Sequence, residues 1–214
     1  SNITTKGAKP TSHYVPRFRN VYRQETDFLR GYAAGFSAHP IRETSREGIG
    51  SDLMNNLLKT KETGVWRVNS HMMGETIPKE SNLVTLDLEK KDEWGIPLLN
   101  IDVSYDQNDE KMIQDFYEQF SEMYSKAGFK NITTNDNNRR PGNDIHEMGG
   151  VRMGKDPKTS LLNAWNQMHN CGNVFVTDGA CMTSTSTQNP SLTFMAITAR
   201  ASNYAIQQMK KGNI

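Results

Sequence analysis

Apolar positions alternate with polar ones in some stretches and recur at helical spacing in others, and the two periods divide the chain into elements. In residues 15–24 apolar side chains alternate with Arg17, Arg19 and Arg23, as in a half-buried strand. Gly31, Gly35 and Pro40 predict a broken, irregular stretch after it. Residues 51–59 read as a short helix, capped by Ser51 or Asp52, with Leu53, Leu57 and Leu58 on one side. Three strand-like runs come next: residues 65–68 leading toward 74–77, then 83–88, then 96–103. Their connectors, 78–82 and 89–95, are short and polar, which predicts antiparallel neighbours because a parallel crossover needs a dozen residues or more. The clearest helix spans 108–127. Asn108 stands at its cap, Asp109 and Glu110 at its positive end, and Gly128 at its stop. Met112, Ile113, Phe116, Phe120, Met123 and Tyr124 form a stripe that predicts core packing.

Residues 130–145 are polar and turn-rich and read as a long loop. After it, His146, Gly149, Gly150 and Gly154 lie within nine positions, and glycines let backbone approach a ligand closely. Residues 173–180 read as a buried strand ending in Asp178-Gly179, followed by small hydroxylated residues to Gln188. Asn189 at the cap and Pro190 at the first helical position open a last helix that runs to about Lys210. Leu192, Phe194, Met195, Ala196 and Ile197 make its first turns apolar nearly all round, which predicts a buried helix start. Free N–H groups and a partial positive charge would then lie inside the protein, either satisfied locally or facing something electron-rich.

Composition narrows the function. The 214 residues carry 25 Lys+Arg against 24 Asp+Glu, so charge gives no reason to expect nucleic acid or an anionic membrane as partner. Hydrophobic residues are only 35% and mean hydropathy is −0.71, yet 8 Phe, 7 Tyr, 3 Trp and 11 Met argue for a packed core. No apolar run is long enough for a membrane span, and the first residues have no apolar stretch of a signal peptide. The chain lacks an initiator Met, which predicts that it has been cut or processed. Cys171 and Cys181 form neither a metal-binding nor a redox pattern and read as small buried hydrophobes. The sequence has no GxGxxG, P-loop, HExxH or GxSxG. Among the histidines, His13, His39 and His71 read as structural or surface residues and His169 as a packing or hydrogen-bonding one. His146 stands apart, brought in by a long loop and followed by a glycine cluster. Its neighbour Glu147 would point away on extended backbone, so the two do not read as a dyad.

Taken together, the segment from His146 to Gly154, the strand ending in Asp178-Gly179-Ala180, and Asn189-Pro190 with its helix resemble, in order and spacing, the C-terminal part of the glucose–methanol–choline (GMC) flavin oxidoreductases. Gly74-Glu75, residues 82–87 and residues 92–97 resemble the substrate-domain segment of the same family. The likeness covers about residues 64–210, and among members it is most similar to bacterial sugar or polyol dehydrogenases and pyranose-oxidase-like proteins. The resemblance implies an α+β chain: an antiparallel substrate-domain sheet flanked by helices over residues 1–145, then over 146–214 the C-terminal pieces of an FAD-binding α/β domain. It implies oxidation of a CH–OH group of a sugar or other alcohol, with hydride passed to flavin N5. His146 is similar in position to the base, and Asn189 to the group that hydrogen-bonds the same oxygen. Asp178, Gly179 and Ala180 would lie along the diphosphate and ribityl chain of FAD. Pro190, Ser191, Leu192 and Thr193 would place the helix start near the flavin N1–C2=O edge. Three positions depart from the family pattern: Gly150 replaces the usual Thr, Asn163 an Asp and Asn170 a Gly.

Whole members of this family are at least twice as long and begin with the strand–GxGxxG–helix unit that binds the ADP half of FAD. The resemblance therefore implies that this chain is the C-terminal portion of a larger enzyme. Its partners would be a small alcohol or sugar and the missing N-terminal FAD domain, with an oligomer open. The alternatives are a non-catalytic carbohydrate-binding module or a subunit-interaction module of the same fold.

Overall fold

The computed structural model describes residues 13–40, 48–58, 66–136, 141–142 and 145–214. The first twelve residues, Lys59, Val65, Asn137, Asn138, Arg139, Arg140 and Asn143, which belong to the expected elements and loop, lie outside the described residues.

The elements in order are β1 (His13–Phe18), β2 (Tyr32–Pro40), α1 (Ser51–Leu58), β3 (Trp66–Gly74), β4 (Leu83–Lys91), β5 (Pro97–Asp102), α2 (Gln107–Lys126), β6 (Gln167–Met168), β7 (Cys171–Phe175), a 3₁₀ turn (Gly179–Cys181) and α3 (Ser191–Lys210). The chain is thus α+β with antiparallel strands. β1, β2 and β3 form one sheet in that order, while β4 with β5 and β6 with β7 form separate pairs. β4 and β5 are antiparallel neighbours, as their short connector predicts. β3 and β4 are not: β3 spends its partner on β2. The sequence shows the strands but not which earlier strand reaches one first.

Gly35 does not interrupt the chain. It lies inside the nine-residue β2, and residues 31–35 are all buried. A Cβ at Gly35 would stand 2.2 Å from Cε1 of His71 on β3, so the glycine admits the imidazole of the neighbouring strand. His71 accordingly sits within β3. β1 is shorter than expected, ending at Phe18 where Arg19 and Asn20 turn to positive φ.

α2 lies on the sheet face that carries Tyr32, Ala34 and Phe36 and closes a core with Phe28, Met112, Phe116 and Phe120. Tyr32 meets Phe116 edge to face at 5.7 Å, and Phe36 stacks on Phe120 at 5.3 Å. The one polar end in this core is satisfied. The Tyr32 hydroxyl donates to Asp115 at 2.8 Å, and Arg19 holds the same carboxylate with three bonds of 2.9–3.2 Å. Burial, then Asp115, pushes the Tyr32 phenol above its ordinary range.

Asp106, not Asn108, caps α2: it accepts from the N–H groups of Asn108 and Asp109, and Asp109 accepts in return from the Asp106 N–H. Asn108 instead brackets Leu29, its carboxamide accepting from the Leu29 N–H and donating to the Leu29 carbonyl. The stripe of α2 buries Met112, Phe116 and Phe120, while Met123 is 40% exposed. α1 buries none of its residues: Leu57 is 40% and Leu58 75% exposed. Among the described residues, no helix is long and apolar enough to cross a membrane.

Candidate functional site

The glycine-rich segment after His146 is held on both sides by backbone. The N–H groups of Gly149, Val151 and Met153 donate to the carbonyls of Gly179, Ala180 and Cys181 at 3.3, 3.1 and 3.0 Å. On the other side the Gly154 N–H donates to Leu162, and the Leu161 and Leu162 N–H groups share the Arg152 carbonyl. Gly149 and Gly150 take φ of +92° and +89°, where a β-branched residue would be strained. That conformation suits Gly150 where the resemblance would have threonine. His146 is half-buried at the start of this segment and Glu147 is exposed.

Asp178 is exposed and caps the 3₁₀ turn, accepting from the Ala180 N–H at 3.0 Å. β7 ends before it, at Phe175, and its middle residues are exposed, so the strand is shorter and less buried than its apolar run predicts. Gly179 is the meeting point of three segments. A Cβ there would stand 2.6 Å from the Glu147 carbonyl oxygen, 3.1 Å from Met148 Sδ and 3.4 Å from the Phe194 ring of α3. Only a residue without a side chain lets the His146 segment, the Asp178 turn and the first turn of α3 close on one another.

The start of α3 differs from the sequence-based expectation in two ways. Pro190, buried, occupies the cap position and Ser191 is the first helical residue, while Asn189 is exposed and no side chain caps the helix. The first internal bond runs from the Phe194 N–H to the Pro190 carbonyl, so the N–H groups of Ser191, Leu192 and Thr193 have no acceptor within the helix. The first turns are also not buried: Leu192 is 78% and Met195 68% exposed, and only Ala201 is buried along the helix. An all-round apolar pattern specifies surface that can be covered, and in this chain only Phe194 and Ile197 of that stretch are even half-buried.

The loop before Asn189 is pinned to β1. Tyr14 donates its hydroxyl to the Thr187 carbonyl at 2.8 Å, and the buried Thr187 donates to the Pro16 carbonyl at 2.9 Å. Gln188 donates to the same Pro16 oxygen and to Thr187 Oγ1. A second cross-link fixes α3. Asn166, fully buried with φ of +64°, donates to the Val176 carbonyl at 2.9 Å and accepts from Arg200 of α3 at 2.9 Å. Tyr204 stacks on Trp165 at 4.8 Å. Cys181 is buried in this cluster, and desolvation pushes its thiol up, whereas Cys171 is half-buried. His169 meets the Ser160 hydroxyl at 3.2 Å, the hydrogen-bonding role its position predicts.

The sequence does not single out Tyr14, Thr187, Asn166 or Arg200, because each acts through a partner far along the chain. The one local signal is at Asn166, a residue type that tolerates positive φ. Among the described residues, an open cleft of about 380 Å³ lies beside Arg19 and Lys111, and one of about 430 Å³ is lined by Met153, Gly154, Trp165 and His169.

The chain is 35% identical over 136 residues to a 2-methyl-1,2-propanediol dehydrogenase of Mycolicibacterium austroafricanum, covering 62% of this chain and 24% of that protein. It is 27% identical over 205 residues to the large subunit of a fructose dehydrogenase of Gluconobacter japonicus, covering 88% of this chain and 35% of that one. It is 32% identical over 124 residues to a paromamine 6'-oxidase of Streptomyces fradiae, covering 58% and 23%. The chain thus spans about a quarter to a third of the length of these relatives. The GMC oxidoreductase family model matches residues 78–198, more than half of the chain and including the segments that meet at Gly179; the chain belongs to the GMC oxidoreductases, a family that is generally FAD-dependent.

Proposed function

We propose that the chain works as part of a longer FAD-dependent oxidoreductase that oxidises the CH–OH group of a sugar or other alcohol. The observation that carries this is the junction at Gly179, where the His146 segment, the Asp178 turn and α3 meet. In this reading residues 1–145 shape the substrate side and residues 146–214 the cofactor side, with an N-terminal FAD domain as their partner.

The residues present fit the cofactor. Three N–H groups at the uncapped start of α3 and the partial positive charge of the helix suit an electron-rich edge that gains negative charge. Pro190, Ser191, Leu192 and Thr193 would hold that edge, and Asp178, Gly179 and Ala180 would run along the rest of the group. When bound, FAD supplies the acceptor for the hydride that leaves the substrate carbon.

His146 takes the hydroxyl proton on its imidazole, which suits a base near neutral pH. Asn189 has no proton-accepting function at that pH and instead holds the same oxygen by hydrogen bonding. Loss of the proton to His146 and of hydride from the adjacent carbon leaves a carbonyl product. In the full-length enzyme, His146→Ala is expected to lower turnover with an artificial electron acceptor by roughly 10²- to 10⁴-fold while flavin absorbance stays the same. Turnover close to that of the unaltered enzyme would refute the role.

A further inference from the structure

The loop before Asn189 is tied to one particular row of the sheet. Tyr14, Gly35 and His71 stand in register across β1, β2 and β3, so their side chains share a face. It is the face opposite α2, because their chain neighbours Val15, Ala34, Phe36 and Met72 pack into the core. Tyr14 reaches from that row to the Thr187 carbonyl at 2.8 Å. The middle of the row is bare backbone, and the His71 ring lies over it: a Cβ at Gly35 would stand 2.2 Å from Cε1 and 2.5 Å from Nε2. The imidazole therefore leans from β3 across β2, toward Tyr14 and the loop, while remaining exposed. With strands about 4.8 Å apart, the Cα of His71 stands roughly 10 Å from that of Tyr14. Ser37 and Asn69 are the next pair on the same face.

The Tyr14 oxygen as an acceptor, the Ser37 hydroxyl, the Asn69 carboxamide and the His71 imidazole offer donors and acceptors side by side. A ligand with several hydroxyls matches that array group by group, and an apolar alcohol leaves it unmatched. We propose that His71 determines specificity: it hydrogen-bonds a hydroxyl, other than the one being oxidised, of a polyhydroxylated substrate held between this sheet face and residues 187–189. The assignment rests on the function proposed above. The row Tyr14, Gly35 and His71 lies outside the residues the family model matches.

The test compares monodeoxy analogues of the best hexose or hexitol substrate on the full-length enzyme, on His71→Ala and on His71→Gln. One analogue is expected to lose about 3- to 10-fold in kcat/KM on the unaltered enzyme, the size of one hydrogen bond. His71→Ala should lose a similar factor on the parent sugar, through KM with kcat little changed, and lose nothing further with that analogue. His71→Gln, which keeps a donor and an acceptor, should recover part of the loss. Equal relative losses for every analogue on the unaltered enzyme and on the alanine variant would overturn the contact. So would an enzyme that oxidises only monohydric alcohols, although His146 could still be its base. Insensitivity to His146→Ala would strike the proposed function instead. If His71→Ala does not fold, as judged by flavin absorbance, the same comparison on His71→Gln decides.

Discussion

α2 and α3 have the same length, 20 residues, and contrast in almost everything else. α2 is closed at its start by a reciprocal cap and buries Asp109, Met112, Phe116 and Phe120. α3 has no side-chain cap, buries only Ala201, and leaves Leu192, Met195, Ile206 and Met209 between 49% and 78% exposed. Both sequences are rich in apolar residues, but those of α2 fall in a stripe that a sheet face covers and those of α3 are spread around the axis. A helix whose end and stripe are both satisfied is a packing element. α3 has an uncapped start and exposed apolar surface, and is held instead by Arg200, Tyr204 and Phe194.

Substitutions can break the contrast at either helix. Phe116→Ala should cost the chain about 3–5 kcal/mol in denaturant unfolding, since it empties the centre of the α2 core. A cost near zero would mean that α2 is not the packing helix. Gly179→Ala sets a methyl group against the Glu147 carbonyl at 2.6 Å and should cost about 1–3 kcal/mol, with lower flavin content in the full-length enzyme. Retention of both would dissolve the three-way junction.

Asp106→Ala should lower the melting temperature more modestly, and in a pH-dependent way. Burial raises the Asp106 carboxyl, but the N–H groups of Asp109 and Asn108 and the Lys79 ammonium outweigh it and hold the carboxyl below its ordinary value of 3.8. Its stabilisation is therefore complete above 3.8 and is lost as the pH falls below that value, so the difference between variant and parent should shrink in acid. An unchanged difference at low pH would point to lost packing rather than a lost cap. Leu192→Ala, at the other helix, should change stability by less than about 0.5 kcal/mol because the side chain is 78% exposed. A large loss would show that the start of α3 is covered after all.

The elements with a strong local period are legible in the sequence. α2, β4 with β5, and α3 fall within a few residues of their expected limits, because periodicity is written into neighbouring residues. Caps are less legible. Asp106 and Asn108 are both good caps by type, and the choice depends on which side chain Leu29 claims, 79 positions away. Gly35 reads as a break because its use, admitting His71, needs a second strand in register.

The sequence by itself determined the strands and helices with a strong local period and the order of the motifs that resemble those of GMC oxidoreductases, and it singled out His146 as the histidine to test. Those are local properties of residue type and spacing. Tertiary structure alone decided that β3 pairs with β2, that three distant segments close on Gly179, that Tyr14 ties β1 to the loop before α3 and Asn166 ties that helix to the segment ahead of it, and that α3 starts uncapped and exposed. Each of these depends on which surfaces meet, and a contact between residues more than a hundred positions apart, such as Tyr14 with Thr187, leaves no period in the chain to read.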